Sequence, residues 1–144
     1  MKQHKLFIMD DKAQIVELQS IFHPSGTITV AENGRDFPFS VQRAYFLHRL
    51  AEDSKRGSHG HVKLRQLMIA VSGSFRVSIT SVHGTEVFRL SEPTQGLLIP
   101  PMTWRDLDEF TSSAICMVLA SDRYDEADYI RNYSDFLDHL KLQS

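Results

Sequence analysis

His59 and His61 stand two apart in the run Arg56-Gly57-Ser58-His59-Gly60-His61, followed by Gln66 and Gly73. Written as spacing, this is H-x-H-x4-Q-x6-G. In an extended chain, side chains at i and i+2 point to the same face. The two imidazoles are therefore expected side by side, on one strand, toward one cavity. Gln66 lies an odd number of residues from His61, so it reaches the same cavity only through a turn or irregularity. Gly73 fits a turn after the next strand. Such a pair can be a structural or surface pair in a Gly-rich loop. It can hold a metal, because histidine is the commonest metal ligand. It can also do acid-base chemistry, because an unperturbed imidazole titrates near pH ~6.5 and can accept and return a proton at neutral pH.

The acid-base reading finds more parts nearby. Tyr45 adds a phenol that could donate to a carbonyl oxygen, and Arg43, two residues before it, shares its face. Arg56 adds a permanent positive charge for a developing oxyanion. Together these can move a proton between neighbouring carbons through an enediol. No nucleophile competes. Cys116 lies in the apolar run Ala114-Ile115-Cys116-Met117-Val118-Leu119, which reads as a buried free thiol. No serine carries a base beside it, and no Gly-rich phosphate loop is present.

These groups need a rigid frame, and the chain is long enough to build one. Its 144 residues suit one domain with a real core. Hydrophobic residues at 42% and charged residues at 24% are ordinary for a globular protein. A formal net charge of -2 gives no support for a nucleic-acid binder. The single cysteine excludes an internal disulfide. The apolar stretch after Lys5 is too short for a signal peptide or membrane span, so a cytoplasmic protein is expected. Short runs rich in Val, Ile, Phe, Thr and Leu fall at 5–9, 14–22, 27–31, 42–50, 65–71, 74–80, 86–90, 96–99 and 114–120. Turn signals separate them: Pro24-Ser25-Gly26, Asn33-Gly34, Ser72-Gly73, His83-Gly84 and Pro100-Pro101. That rhythm predicts an all-β barrel or double-sheet jelly roll. From Glu126 to Leu142 the spacing of Ile130, Tyr133, Phe136, Leu137 and Leu140 becomes helical. A C-terminal helix lying on the barrel is expected there, capped by Asp125 or Asp122.

The H-x-H-x4-Q-x6-G spacing resembles the first motif of the cupins, with Gln66 where a metal-binding cupin usually has Glu. A second cupin motif is expected around Pro100-Pro101-Met102-Thr103-Trp104-Arg105, where Arg105 takes the place of a ligand histidine. An arginine cannot ligate a cation. Two of about four ligands are therefore replaced, and no metal or other cofactor is expected.

A more specific resemblance covers about residues 14 to 139. It is carried by Pro38-Phe39-Ser40-Val41-Gln42-Arg43-Ala44-Tyr45-Phe46, by the Arg56–His61 run with Gln66 and Gly73-Ser74, and by Pro100-Pro101-Met102-Thr103-Trp104. Val118-Leu119-Ala120-Ser121 and Tyr124-Asp125-Glu126-Ala127-Asp128-Tyr129-Ile130-Arg131 complete it. The pattern resembles the nucleotide-sugar 3,4-ketoisomerases, the WxcM-like or FdtA-like cupins. The resemblance implies a jelly-roll dimer, often formed by exchange of N-terminal strands. It implies a dTDP-4-keto-6-deoxy-D-glucose substrate whose keto group moves from carbon 4 to carbon 3, without a metal, in the making of 3-amino-3,6-dideoxyhexoses. It places His59 and His61 in the active site and Arg43, Tyr45 and Arg56 around the same cavity. The chain departs from the family at His23-Pro24-Ser25-Gly26, where Asp-x-Arg-Gly is common, and at Arg105, where many relatives have histidine. Product stereochemistry at carbon 4, gluco or galacto, stays open. A metal-dependent cupin enzyme and a non-catalytic sugar-binding cupin remain as alternatives.

The expected domain spans 14–144, with 1–13 as an N-terminal extension or strand. His61 is expected to shuttle the carbon proton, with His59 and Tyr45 on the sugar oxygens. Gln66 is expected to hydrogen-bond a catalytic histidine or the sugar. Arg105 remains a candidate substrate donor, and Lys63 could pair with pyrophosphate, although solvated surface charge is its default reading. Trp104 reads as packing at the barrel mouth, and Phe37 and Phe39 as core. The acidic cluster Asp122, Asp125, Glu126 and Asp128 reads as a solvated helix start.

Overall fold

A computed structural model of the chain describes residues 11–143. The strand run expected at 5–9 lies outside the described residues. Two five-stranded antiparallel sheets face each other. The first, in spatial order, holds β1 (Gln14–Glu17), β9 (Gln95–Ile99), β6 (Gln66–Ser72), β11 (Ile115–Ala120) and β4 (Arg43–Leu47). The second holds β12 (Tyr129–Ile130), β5 (Arg56–His61), β10 (Trp104–Asp108), β7 (Phe75–Ser81) and β8 (Gly84–Leu90). A separate hairpin pairs β2 (Gln19–Ile21) with β3 (Ile28–Val30). This is the expected jelly-roll cupin barrel.

Alternation along the strands builds the core. Phe75, Val77 and Ile79 of β7 point inward and meet Met68 and Ala70 of β6 and Cys116 and Val118 of β11. The opposite face of the first sheet is covered too. Phe37 and Phe39 pack there with Val16, Leu18, Leu67, Ile69 and Leu98. Burial on both faces explains why β6 reads as an unbroken buried run from Gln66 to Ala70 rather than as an alternating strand.

Besides the two-residue β12, two strands lie outside the runs that propensity marks. β5 carries Gly57, Ser58, His59 and Gly60, and β10 carries two aspartates and an arginine. Neither looks like a β-branched run. Both are held by pairing on both edges, β5 between β10 and β12, and β10 between β5 and β7. Tertiary context overrides intrinsic propensity here.

The C-terminal helix is shorter than expected. Glu126–Asp128 forms one 3-10 turn, Tyr129–Ile130 joins the sheet as β12, and the helix α1 spans Tyr133–Gln143. Asn132 caps it, its side-chain oxygen accepting from the Asp135 N–H at 3.0 Å. Asp125 caps only the 3-10 turn, accepting from the Ala127 N–H. Pairing of Tyr129 with His61 competes with helix formation and wins. Phe136 is fully buried beside Met102, Trp104 and Ile130. Burying such a ring contributes roughly 1.5–3 kcal/mol. Gly60 permits this approach, because a Cβ there would sit 3.1 Å from the Phe136 ring. Trp104 packs on Tyr133 and Phe136, as the packing reading expected.

Candidate active site

A cavity of about 520 Å³ opens between the two sheets. One wall comes from the inward positions of β4, namely Arg43, Tyr45 and Leu47, backed by Met68, Cys116 and Val118. The facing wall comes from Arg56, Gly57 and His59 of β5, Arg105 and Leu107 of β10, and Tyr129 and Arg131 beyond them. With Lys55 at the rim, five cationic side chains and no carboxylate line it among the described residues.

A bulge aims His59. The β5–β10 register pairs Arg105 with His59 but Asp106 with Gly57, leaving Ser58 as the extra residue. Gly57 (φ +83°) and Ser58 (φ +56°) take the left-handed conformations this requires. A Cβ on Gly57 would lie 2.8 Å from the Arg105 carbonyl oxygen, so the position needs glycine. Ser58 Oγ donates to Asp106 at 2.6 Å, and Trp104 Nε1 donates to the same carboxylate at 3.1 Å. The bulge is thereby tied down.

His59 Nδ1 lies 3.0 Å from the Gly57 carbonyl oxygen. A carbonyl only accepts, so Nδ1 carries the proton and Nε2 keeps its lone pair. Burial, then repulsion from Arg105, lowers the His59 pKa to about 4. The imidazole is therefore neutral at physiological pH and free to accept a proton.

His61 occupies a different place. It is 1% exposed and does not line the cavity. Its Nδ1 meets Asp128 Oδ2 at 3.2 Å, while Nε2 is buried without a hydrogen-bond partner among the described residues. Its ring sits edge-on to His59, centroids 4.8 Å apart, and 4.3 Å from Tyr129. Burial, with Arg105 and His59 adding repulsion, holds it well below the ordinary imidazole value. Sharing a strand face did not make the two histidines equivalent. The pairing of β12 with β5 lays Tyr129 opposite His61 and closes it off.

Asp128 is not the solvated helix-start residue that the acidic cluster suggests. Its carboxylate instead accepts from the Lys63 N–H at 2.7 Å, the Leu64 N–H at 3.3 Å and His61. The only sequence signal was its membership of the Tyr124–Arg131 run. Glu126 of the same cluster bonds Arg131 and Tyr124, and Asp122 accepts from Ser121. Arg131 lies over the Tyr129 ring at 4.4 Å.

Arg105 is 2% exposed and lies at the cavity floor. It donates to Gln66 Oε1 and to the Thr103 carbonyl and hydroxyl oxygens. Burial lowers its pKa to about 10, so it remains cationic at neutral pH. Gln66 in turn donates to the Tyr45 phenol oxygen at 3.0 Å. Burial raises the Tyr45 pKa, which keeps the phenol protonated. Gln66 thus reaches neither histidine. Lys63 is exposed and borders a separate depression with Asp122 and Asp125, away from the cavity. Among the described residues, no group of three or more His, Cys, Asp or Glu stands where it could hold a metal ion.

The chain matches the family described as FdtA (WxcM-like, C-terminal) over residues 11–141. It is 33% identical over 127 residues to a TDP-4-oxo-6-deoxy-alpha-D-glucose-3,4-oxoisomerase of Aneurinibacillus thermoaerophilus, covering 88% of this chain and 91% of that one. Among solved structures it is similar to QdtA, a sugar 3,4-ketoisomerase of Thermoanaerobacterium thermosaccharolyticum in complex with TDP. The TM-score is 0.88 at 33% identity, over 94% of this chain and 98% of that chain. It is also similar to WlaRB, a TDP-quinovose 3,4-ketoisomerase of Campylobacter jejuni. There the TM-score is 0.85 at 35% identity, over 90% and 99% of the two chains.

Proposed function

This chain belongs to the FdtA (WxcM-like, C-terminal) family, and from that premise we propose that it is a dTDP-4-keto-6-deoxy-D-glucose 3,4-ketoisomerase. The observation that carries the reading is the cavity, whose described walls hold five cations, no carboxylate, the neutral His59 imidazole and the protonated Tyr45 phenol. Several cations around one cavity suit a diphosphate, which they bind by charge-assisted hydrogen bonds. Arg43, Lys55, Arg56 and Arg131 take this part. The sugar then lies toward Tyr45, His59 and Arg105.

The reaction moves protons and leaves the formula unchanged. His59 Nε2 takes the proton from carbon 3, and the electron pair left behind forms a double bond between carbons 3 and 4. The carbon 4 carbonyl oxygen gains the negative charge and receives the Tyr45 proton. In the second half the hydroxyl on carbon 3 gives its proton to the Tyr45 phenolate, which restores the phenol, and becomes the new carbonyl, while the electron pair of the carbon 3–carbon 4 double bond takes the proton back from His59 at carbon 4. Arg105 offsets the oxyanion charge from the floor. His61 was the expected shuttle, but the exposure of His59 to the cavity supports His59 as the carrier of the carbon proton instead. His61 supports its ring from behind.

We also propose a cytoplasmic homodimer. The hairpin β2–β3 exposes Ile21, Phe22 and Ile28, and the edge strand β4 exposes Phe46. A second copy would cover these apolar groups and the open sheet edge. Sedimentation at micromolar concentration tests this, and a monomer there would overturn it.

The function itself is tested by NMR of dTDP-4-keto-6-deoxyglucose incubated with the protein in deuterium oxide. Formation of the 3-keto isomer with deuterium in the ring is the expected result. Bound but unchanged sugar would point instead to a non-catalytic sugar-binding protein. His59→Asn should keep TDP binding and lose about 10² to 10⁴ in turnover, the usual size of a general-base contribution.

A further inference from the structure

The sequence leaves Gln66 as a neutral amide where a carboxylate is usual. The structure gives that amide a specific task. Gln66 is 1% exposed, so its hydrogen bonds are made with protein or not at all. On one side stands Arg105, whose guanidinium has donors and no acceptor. Only the amide oxygen can face it. Arg105 is itself held by the Thr103 carbonyl and hydroxyl, so it cannot turn away cheaply. The amide orientation is thereby decided, and the NH₂ group must face Tyr45.

A phenol has one hydrogen to give and oxygen lone pairs to receive. Tyr45 receives from Gln66 and has no other hydrogen-bond partner among the described residues, so its own hydrogen is left for the cavity it lines. We propose that Gln66 is a positioning residue: driven by Arg105, it sets the direction of the Tyr45 hydrogen bond and holds the phenol as a donor toward the sugar's oxygen. The proposal rests on the ketoisomerase reading for its consequence in turnover. It also explains the residue type. A glutamate at 66 would still satisfy Arg105, now as an ion pair. Its other oxygen would accept the phenol's hydrogen and turn Tyr45 into an acceptor toward the substrate, which is the wrong polarity for protonating a carbonyl oxygen.

Gln66→Glu is the test, because it preserves shape and the Arg105 partner. The variant is expected to melt no lower than the parent and to bind TDP equally. Its kcat is expected to fall about 10² to 10³, the usual cost of losing one donor to an oxyanion. In a Tyr45→Phe background the same substitution should cost less than about twofold, since the two changes remove one interaction. A loss of full size in that background would mean that the new charge, not the phenol's direction, is responsible, and would overturn the proposal. A second reading does not depend on activity. Ultraviolet titration of the phenols, with Tyr45→Phe as reference, should show Tyr45 ionising at higher pH in Gln66→Glu, because its proton is then held by a carboxylate. An unmoved titration would overturn the proposal even if turnover falls. A shifted titration in a protein that never isomerises the sugar would sink the ketoisomerase reading while leaving the Gln66 geometry standing.

Discussion

With His59 as the proposed base, its titration is expected to set the acid limb of the pH–rate profile. Its pKa of about 4 in the free protein comes from burial and from the Arg105 cation behind it. The imidazole must be neutral to take the carbon proton, so activity falls as pH drops through that value. The ratio kcat/KM reports the free enzyme. At pH 5.5 a group of pKa about 4 is ~97% neutral, whereas an ordinary histidine near 6.5 is only ~9% neutral. Lowering the pH from 8 to 5.5 should therefore leave kcat/KM almost unchanged, where an unperturbed base would lose about tenfold. The limb of kcat should lie at higher pH. It reports the substrate complex, in which the bound diphosphate offsets Arg131 and favours the imidazolium. The assay is initial rate of 3-keto product by NMR from pH 4 to 9, at limiting and saturating substrate. A kcat/KM limb between pH 6 and 7 would refute the assignment. So would coincident limbs for the two parameters, because they would mean that the cations holding the diphosphate do not act on the base.

Stability should follow the same groups with a defined sign. His59 and His61 have folded pKa values below the ordinary one, so the unfolded chain binds more protons. Their contribution is complete above pH ~6.5 and is lost as pH falls from there toward the folded values. The melting temperature should drop between pH 7 and 4, and His59→Asn should flatten that slope. Asp128→Asn should destabilise by about 1–3 kcal/mol, because Asn cannot accept from His61 and both backbone N–H groups together. It should also lower kcat with little change in KM, as denaturant melts and steady-state kinetics would show. Activity should survive exhaustive dialysis against a chelator, and loss restored by one divalent ion would favour a metal-dependent enzyme instead.

The sequence by itself determined a great deal here. Alternating apolar strands and their turns specified two packed sheets, because period-two burial has few other solutions. Local spacing put Arg43 beside Tyr45 and His59 near His61, and the Gln66 and Arg105 substitutions were visible as residue types. Long-range pairing decided the rest. β12 could not be read from Tyr129 and Ile130 alone, since two residues form a strand only when β5 offers an open edge. That pairing ended the expected helix early, covered His61 and carried Asp128 to its ring across 67 residues of chain. β5 and β10 lacked strand propensity and were held by neighbours on both sides. The bulge at Ser58 required a partner strand to be out of step with, so nothing local announced it. The direction of the Tyr45 hydrogen bond came last. It depends on an arginine from β10 and a glutamine from β6 meeting a tyrosine from β4, and only the closed barrel brings those three strands to one point.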